Sequence, residues 1–597
     1  MQTFRLRSLR AYLYLAGAAA VTTIAVAILA SGGGVASAHT SRALVNDSNR
    51  LASVSPTIPS KIGCATLASL PSLVTIPHFP TSIDSATETP AVGGNPEYCD
   101  VKGMIAPQTQ FEMKLPVNTW QGRYLQNGCG GYCGIITPQN FPSCDAQLGG
   151  DFAMATDDEG HTTSTGLGGA GLFAFNSQKL RNEYGYESEH ALDVVAKTII
   201  GDYYGQPPNY SYYDGCSDGG REAMAVAERY PTDFNGIIAG APEIIAGPLN
   251  AELQTWDYRV NTDANGNAIL TSAKLTALHN AVIGACAGDD GVPGDGIITD
   301  PRNCHFDVSS MRCPAGVDNA NCLTPAQVTV ADEIYQGPVD PQGRHLYPGG
   351  FAFGSEGSWG GFQVAAAPFG TTVSSKTAAV YGGLSLPYLR YQYLPPGQLG
   401  PDPDQWSFSD RTFRSLFPVA NTYDAMDTNL SAFRRHGGKL IIWQGWADQA
   451  IPVFGTIDYY DTLASRMGGL SSTQQFARMF LFPTVAHCGG GYAASSFDLV
   501  YPMVQWVEGG SAPSQIIATD TVGGTTLTRP VYPYPLVPKY NGAGATTDAS
   551  SFHPVVSPHA HDYSQWIGND LFYQPVNASD GSHGDTVSRN RKSRAVS

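Results

Sequence analysis

The chain has 597 residues, of which 42% are hydrophobic and only 14% charged, a composition typical of a folded globular protein rather than a disordered one. Its 34 basic residues against 51 acidic ones give a formal net charge of −17. This charge argues against nucleic acid as a partner, because phosphate contacts need clustered Lys and Arg. The length leaves room for a large core and at least one sizeable insertion.

The first 38 residues have the pattern of an export signal. Arginines at positions 5, 7 and 10 precede an apolar stretch from Ala11 to Ala30, and the small residues Ala36-Ser37-Ala38 follow it. We therefore predict a signal peptide over residues 1–38 and a secreted protein, extracellular or periplasmic, with no stable membrane partner after cleavage. An uncleaved membrane anchor is the alternative, because the apolar run is close to the ~20 residues that span a bilayer.

Eleven cysteines in an exported chain indicate disulfide bonds. They include no pair of Cys-x-x-Cys motifs and no Cys/His cluster at zinc spacing. The odd number leaves at least one thiol either free or paired between chains.

After a Ser-, Thr- and Pro-rich lead at residues 39–60, strand-like and helical segments alternate along the chain. This alternation is typical of the α/β class with a mainly parallel sheet. We predict strands at residues 152–156, 210–213 and 237–239. Apolar residues at helical spacing predict helices over 190–200 and after Gly220.

From residue 245 to residue 423 the chain changes character and becomes rich in Gly, Pro and Tyr. We interpret this stretch as a lid domain inserted into the sheet domain. The alternation then returns with short apolar runs at 440–443 and 479–482, of the kind buried in parallel sheets. We predict a signal peptide at residues 1–38, the first part of the core at 39–244, the lid at 245–423 and the second part of the core at 424–552. A polar tail follows at 553–597, and its last residues, 577–597, are predicted to be disordered.

Gly215-Cys216-Ser217-Asp218-Gly219 is a Gly-x-Ser-x-Gly motif between a predicted strand and a predicted helix. A serine on such a sharp turn is exposed in a strained conformation, and the helix N-terminus behind it favours developing negative charge. This setting predicts that Ser217 is a nucleophile and that the fold is of the α/β-hydrolase type. The alternative is an ordinary glycine-rich turn, since the chain has 67 glycines.

A serine hydroxyl needs a base to remove its proton, and the base needs an acid to orient it. In this fold the order along the chain is Ser, then Asp or Glu, then His, each in a loop after a strand. The first strand after the lid leads to Asp448 and the second leads to His487. We predict that these two residues are the orienting acid and the base. Two competing acids lie in a predicted helix and suit a solvated face better: Asp458 and Asp461.

Cys216 precedes the predicted nucleophile and Cys488 follows the predicted base. If His487 hydrogen-bonds Ser217, these two cysteines must come close together. We therefore predict a disulfide that ties nucleophile to base; two unrelated cysteines are the alternative.

An oxyanion hole needs two backbone N–H groups aimed at the developing charge. One is expected from Asp218, the residue after the nucleophile. The Gly-rich segment Gly128-Cys129-Gly130-Gly131 is the candidate for the other, through Gly130 or Gly131. A flexible surface turn is the alternative for this segment.

Several segments together resemble the tannase and feruloyl esterase family, over about residues 60–552. They are Gly215-Cys216-Ser217-Asp218-Gly219-Gly220-Arg221, Gly240-Ala241-Pro242, Trp446-Ala447-Asp448, His487-Cys488-Gly489-Gly490-Gly491 and Arg529-Pro530-Val531-Tyr532-Pro533-Tyr534-Pro535. The resemblance implies an α/β-hydrolase core, a lid inserted before the catalytic Asp, and hydrolysis of esters of aromatic acids. The implied substrates are small aromatic esters, such as those of hydroxycinnamic or gallic acid, or esters linked to plant polymers.

The resemblance also implies two disulfides, Cys64–Cys99 and Cys313–Cys322. A C-terminal disulfide of the family is missing, because Tyr532 and Pro554 stand where its cysteines are expected. Three cysteines remain unassigned: Cys129, Cys133 and Cys144.

A calcium ion in the lid, inside a short disulfide loop, is a further implication of the resemblance. Here Cys286 to Cys304 encloses closely spaced Asp residues and backbone carbonyls, which suit a hard cation. The loop departs from the family pattern, with Ala287 in place of an Asp and one residue added before Asp295. A tight Gly/Asp turn without an ion is the alternative. The predicted ligands are Asp289, Asp290, Val292, Asp295 and Ile297.

These features predict a two-step acyl transfer. His487 takes the proton of Ser217, which attacks the ester carbonyl, while the N–H groups of Asp218 and Gly130 hold the oxyanion. Water then releases the acid. The alternatives are a serine hydrolase acting on aliphatic esters, polyesters or peptides, and a secreted binding protein with an inactive triad.

Overall fold

The structure is a computed structural model, and it describes residues 56–92, 95–136, 150–163, 170–364, 382–560, 562 and 564–571. The predicted signal peptide, Cys144 and the predicted disordered end at 577–597 lie outside the described residues. No helix within the described ranges is long and apolar enough to cross a membrane.

In this part of the chain, nine strands form one sheet in the order β1-β2-β3-β5-β4-β6-β7-β8-β9, and four more form two hairpins. The sheet strands are β1 Thr81–Thr89, β2 Tyr98–Ile105, β3 Thr109–Pro116, β4 Arg123–Asn127, β5 Phe152–Asp157, β6 Tyr210–Cys216, β7 Gly236–Gly240, β8 Lys439–Gly445 and β9 Ala477–Phe482. The hairpin strands are β10 Ile516–Val522, β11 Thr525–Val531, β12 Leu536–Tyr540 and β13 Phe552–Val556.

Six neighbouring strands, β5, β4, β6, β7, β8 and β9, run parallel. Strands β1 to β3 form an antiparallel extension that joins the sheet at β5. The five strands predicted from the sequence are confirmed as β5 to β9. Because parallel strands share one carboxyl edge, the loops after β6, β8 and β9 meet on the same side of the sheet.

The helices of seven residues or more are α1 Ser188–Tyr204, α2 Asp218–Arg229, α3 Gln254–Val260, α4 Leu275–Cys286, α5 Pro325–Gln336, α6 Phe417–Tyr423, α7 Val453–Arg466 and α8 Val500–Gly509. Shorter α-helices are Pro71–Val74, Gln178–Asn182, Ala246–Pro248, Gly382–Pro387, Asp410–Arg414, Ser431–Arg435 and Leu470–Thr473. The helices predicted over 190–200 and after Gly220 are confirmed as α1 and α2.

The sheet is covered on both faces, which makes the core a three-layer α/β structure. Alternate residues of β7 point to opposite sides, so Ile237 joins one hydrophobic cluster and Ile238 the other. Helices α1, α2 and α7 cover the first face, and α8 with the β10–β11 hairpin covers the second. The α/β class predicted from the sequence is confirmed.

Between β7 and β8 lies the long insertion that the sequence indicates as a lid. Its described residues add no strand to the sheet and consist of short helices and turns. Buried residues of this insertion, such as Trp359 and Tyr388, belong to the same hydrophobic cluster as α1 and α2. The insertion therefore packs directly against the sheet domain.

The segment predicted as a polar tail from residue 553 is partly packed. Strand β13 pairs with β12, and Trp566 is only 6% exposed. The indole N–H of Trp566 donates to a carboxylate oxygen of Asp458 on α7, at 3.0 Å. Asp458 is 5% exposed, so the expectation that it lies on a solvated face is wrong. The cause is this C-terminal segment, which covers the helix.

The described cysteines form five disulfides. Four of them confirm expected pairs: Cys64–Cys99, Cys216–Cys488, Cys313–Cys322 and the loop-closing Cys286–Cys304. The fifth, Cys129–Cys133, joins two of the cysteines that the sequence left unassigned.

Candidate active site

Ser217 lies on the turn between β6 and α2, with φ at 68° and ψ at −120°. This left-handed backbone costs a non-glycine residue about 1–3 kcal/mol, so the surrounding structure must hold it. A Cβ on Gly215, Gly219 or Gly220 would come within 3.0 Å of neighbouring backbone atoms. The glycines of the motif therefore allow the close packing that holds Ser217 at the carboxyl edge of the sheet.

His487 lies between Ser217 and Asp448. Its Nε2 is 2.8 Å from Ser217 Oγ, and its Nδ1 is 3.1 Å from Asp448 Oδ2. The three side chains follow β6, β8 and β9, whose carboxyl ends lie at one edge of the sheet with β7 between β6 and β8. In this arrangement, Nε2 is placed to accept the serine proton while Nδ1–H donates to the carboxylate.

Asp448 is 2% exposed and accepts hydrogen bonds on both carboxylate oxygens. Its Oδ1 accepts from the backbone N–H groups of Ala450 and Ile451, at 2.7 and 2.9 Å. Its Oδ2 accepts from Gln444 Nε2 at 2.8 Å in addition to His487. These donors fix the orientation of the carboxylate and aim one oxygen at the imidazole.

Two glutamines that the sequence analysis missed support these residues. Gln444 on β8 is fully buried, and its Oε1 accepts from the hydroxyl of Thr456 at 2.8 Å. Gln449 accepts the backbone N–H of His487 on its Oε1, at 3.1 Å. No motif marks either glutamine, and their proximity to Asp448 in the chain is the only signal that the sequence carries.

The Cys216–Cys488 disulfide joins the residue before the serine to the residue after the histidine, with their Cα atoms 5.8 Å apart. It bridges 272 positions of sequence. The loops carrying Ser217 and His487 are therefore covalently tied to each other.

The two predicted oxyanion donors lie on adjoining segments. Asp218 is the first residue of α2, and Gly130 lies in the loop after β4. The carbonyl of Cys129 in that loop accepts the N–H of Gly219 at 2.9 Å, so the loop lies against the start of α2. Within the described ranges, neither the Asp218 N–H nor the Gly130 N–H has an acceptor. Both groups are therefore free to bind an oxyanion.

The side chain of Asp218 forms a buried ion pair with Arg221. Arg221 donates from Nε and Nη2 to the two Asp218 oxygens, at 2.5 and 3.0 Å, and both residues are buried. The same guanidinium donates to the carbonyls of Tyr184 and Gly185, at 2.8 and 2.7 Å. Arg221 therefore anchors the first turn of α2, and Asp218 can offer the site only its backbone N–H.

Several buried carboxyl groups lie beneath this turn. Burial, reinforced by the charge of Asp218, raises the pKa of Glu222 to about 7 and that of Glu243 to about 8. Ligand atoms of Glu222, Asp218 and Glu159 lie within 4.8 Å of one another and of the sulfurs of Cys129 and Cys133. Because these sulfurs are bonded to each other, the group offers no thiolate to a metal.

The lid loop that the sequence indicates for calcium is closed by Cys286–Cys304. The carboxylate of Asp289 accepts the backbone N–H groups of Thr299 and Asp300, at 2.7 and 2.9 Å. Lys539 Nζ donates to the Asp289 carbonyl at 2.9 Å. The oxygens of Asp289 therefore already have donors within the protein.

Asp290 offers a better ligand atom in the same loop. Its Oδ1 accepts the N–H of Val292 at 2.9 Å, but its buried Oδ2 has no hydrogen-bond partner among the described residues. Asp295 accepts the N–H of Ile297 at 2.9 Å and pairs with Arg529 Nη2 at 2.7 Å. Asp290 Oδ2 lies 3.8 Å from Arg529 Nε without a hydrogen bond and has a second carboxylate beside it, which fits a hard cation with Asp290 and Asp295 as the side-chain ligands.

The sequence model of the family described as Tannase and feruloyl esterase matches residues 91–555. A probable feruloyl esterase from Arthroderma benhamiae is 31% identical over 465 residues, which cover 74% of this chain and 81% of that protein. A mono(2-hydroxyethyl) terephthalate hydrolase from Piscinibacter sakaiensis is 29% identical over 557 residues, or 82% of this chain and 90% of that protein. Among solved structures, an esterase from Aspergillus oryzae is 25% identical with a TM-score of 0.69, over 82% of this chain and 99% of that one.

Proposed function

This chain belongs to the tannase and feruloyl esterase family of carboxylic ester hydrolases, and we therefore propose that it hydrolyses esters of aromatic acids through an acyl-enzyme on Ser217. The observation that carries this proposal is the hydrogen-bonded chain from Ser217 Oγ through His487 to Asp448, at 2.8 and 3.1 Å. Such a chain activates a serine for attack on a carbonyl.

In the first step, Ser217 Oγ attacks the ester carbonyl and His487 Nε2 takes its proton. Asp448 stabilises the resulting imidazolium through Nδ1–H. The negative charge that develops on the carbonyl oxygen is held by the N–H groups of Asp218 and Gly130. The tetrahedral species collapses when the C–O bond to the alcohol breaks, and His487 returns the proton to the leaving alcohol.

In the second step, water takes the place of the alcohol. His487 removes a proton from the water, the hydroxide attacks the acyl-enzyme, and the acid leaves as Ser217 recovers its proton. The protein groups that act are the same in both steps, which explains why a single histidine serves as base and as acid.

The substrate class rests on the relatives, whose names describe action on feruloyl esters and on a terephthalate ester. Both acids carry the ester carbonyl on or conjugated to an aromatic ring. Secretion is supported by the export-signal pattern and by five disulfides, which persist in oxidising compartments.

The test is hydrolysis of methyl gallate, methyl ferulate, mono(2-hydroxyethyl) terephthalate and p-nitrophenyl acetate by the wild type and by Ser217→Ala. We expect at least one aromatic-acid ester to be cleaved. We expect the Ser217→Ala variant to lose kcat by about 10⁴-fold or more, because the nucleophile is gone. Mass spectrometry of a rapidly quenched reaction should show the acyl group on the peptide containing Ser217.

The outcomes separate the parts of the proposal. Cleavage of p-nitrophenyl acetate alone would contradict the aromatic-ester assignment and leave the nucleophile in place. Activity that survives in Ser217→Ala would contradict the nucleophile itself.

We also propose that the lid loop binds calcium through Asp290 and Asp295, with backbone carbonyls of Val292 and Ile297. The ion would supply structural cross-linking of the loop, and no step of the reaction involves it. The buried Asp290 Oδ2, which accepts no hydrogen bond among the described residues, supports this proposal.

A further inference from the structure

The loop after β4, residues 128–134, here named the oxyanion loop, adopts an unusual backbone. Gly131 has φ at 65° and Cys133 has φ at 55°. A left-handed conformation costs a non-glycine residue such as Cys133 about 1–2 kcal/mol. The conformation of this loop therefore depends on restraints from its surroundings.

One side of the loop is fixed to the nucleophile helix by hydrogen bonds. The Cys129 carbonyl accepts the N–H of Gly219 at 2.9 Å, and the Cys129 N–H donates to Glu222 Oε2 at 3.2 Å. The same Glu222 oxygen accepts the hydroxyl of Tyr213 on β6, at 2.7 Å. Cys129 is thus held at a defined position relative to Ser217.

Beyond the peptide that it shares with Cys129, Gly130 makes few contacts. A Cβ built on Gly130 meets no atom within 4 Å, and in the described chain its N–H has no acceptor. Its carbonyl accepts the N–H of Cys133 at 3.1 Å, which closes a turn. Because the peptide unit is planar, the Gly130 N–H points opposite to the Cys129 carbonyl, so its direction depends on how firmly the Cys129–Gly130 peptide is held.

The Cys129–Cys133 disulfide adds a covalent restraint to the single hydrogen bond between this peptide and Gly219. Cys133 is 3% exposed, and its sulfur lies 3.2 Å from Asp218 Oδ2, beneath the first turn of α2. The bond therefore ties the far side of the turn to Cys129, the end that is already fixed. Gly130 therefore lies between Cys129 and Cys133, and both of these residues are held in place.

We propose that the Cys129–Cys133 disulfide positions the Gly130 N–H so that it and the Asp218 N–H converge on one oxyanion. Cys129 and Cys133 are positioning residues, and the inference rests on the esterase mechanism proposed above. Donors must lie about 2.7–3.1 Å from the oxyanion to stabilise it, and a misplacement of about 1 Å costs about 10²-fold in rate.

The test compares the double variant Cys129→Ala/Cys133→Ala with Cys313→Ala/Cys322→Ala, which removes a lid disulfide of similarly short span. We expect the first to lose kcat by about 10- to 100-fold with KM changed by less than about twofold, because the donor acts on the transition state. The control should keep kcat within about twofold of the wild type. Thermal unfolding of both variants checks that they fold.

A double-mutant cycle isolates the role of Gly130, because Gly130→Pro removes its N–H. If the disulfide acts through that N–H, removing it in the Gly130→Pro background lowers kcat by less than about twofold further. If the loss of kcat in the combined variant equals the product of the losses from Gly130→Pro and from removing the disulfide, the inference is overturned. If Gly130→Pro does not fold, the kcat of the disulfide variant decides alone, and a kcat equal to the wild type overturns it.

The two proposals fail in different ways. A wild type that cleaves p-nitrophenyl acetate but no aromatic ester contradicts the proposed substrate class, and the kcat comparison is then made with p-nitrophenyl acetate. A wild type that cleaves no ester contradicts the esterase mechanism and overturns this inference with it. Equal activity with and without the disulfide overturns this inference alone.

Discussion

At the level of single residues, Gln444 links the sheet to the acid of the site. Its amide donates to Asp448 Oδ2 and to the carbonyl of Ile451, both at 2.8 Å, and it is fully buried on β8. Thr456 donates to its Oε1 and so determines which end of the amide faces Asp448. Gln444 therefore holds both the carboxylate and the turn that carries it.

We predict that Gln444→Leu lowers kcat for ester hydrolysis by about tenfold or more with little change in KM, because Asp448 loses a donor and its orientation toward His487. Steady-state kinetics on the best substrate of the panel measure both constants. Thr456→Val should have a smaller effect of the same kind, because it only frees the amide to turn.

The matched control is Gln475→Leu, a residue that accepts from Arg434 at the other end of the sheet. It should leave kcat within about twofold of the wild type. An unchanged kcat in Gln444→Leu would show that the two backbone N–H groups on Asp448 Oδ1 suffice to hold it.

At the level of elements, the lid loop between Cys286 and Cys304 illustrates two ways to neutralise buried acids. Arg529 from β11 pairs with Asp295 at 2.7 Å, and its Nε lies 3.8 Å from Asp290 Oδ2. Burial raises the pKa of Asp290 to about 6, and a nearby cation would favour its charged carboxylate. Calcium would provide that cation, because Arg529 hydrogen-bonds Asp295 but lies too far from Asp290 Oδ2 to hydrogen-bond it.

We predict that one equivalent of calcium copurifies with the protein and that a chelator lowers the unfolding temperature. Calcium at 100 times its Kd would stabilise the folded state by about 2.7 kcal/mol, because it binds only that state. Elemental analysis and thermal unfolding with EGTA or calcium measure the two effects.

Asp290→Asn should abolish the calcium-dependent shift, whereas Asp410→Asn, elsewhere in the lid, should retain it. Equal unfolding temperatures in chelator and calcium, with no bound metal, would mean that Arg529 and Lys539 neutralise the loop by themselves.

At the level of the whole molecule, the Cys216–Cys488 disulfide joins the two parts of the sheet domain across the insertion. The chain leaves the sheet after β7, forms the insertion and returns at β8, so Ser217 and His487 belong to different parts. Among disulfides, the one that closes the longest loop lowers the entropy of the unfolded chain most.

We predict that Cys216→Ala/Cys488→Ala lowers the free energy of unfolding by about 5 kcal/mol, against about 2–3 kcal/mol for Cys313→Ala/Cys322→Ala, whose loop spans 9 positions. Urea denaturation of both variants measures the difference. Equal losses would show that the loop-entropy argument does not hold for this chain. The first variant should also lose activity, since His487 is no longer tied to Ser217.

Local sequence patterns were sufficient for the class of fold and for the residues brought together at the carboxyl edge of the sheet. Strands β5 to β9 were predictable because apolar runs and turns are local signals. The position of Ser217, Asp448 and His487 followed from the chain order and the common edge of parallel strands. Their catalytic roles remain a prediction that Ser217→Ala tests.

Other features required the packed chain, because they depend on contacts between distant segments. Asp458 is buried by Trp566, more than a hundred residues further along the chain, and no helical pattern shows this. Gln444 acts through its rotamer, and the Cys129–Cys133 bond depends on how the oxyanion loop folds against α2. Sequence patterns report which residues are apolar or sharply turned, whereas the direction of a buried polar group is settled only when all its neighbours are in place.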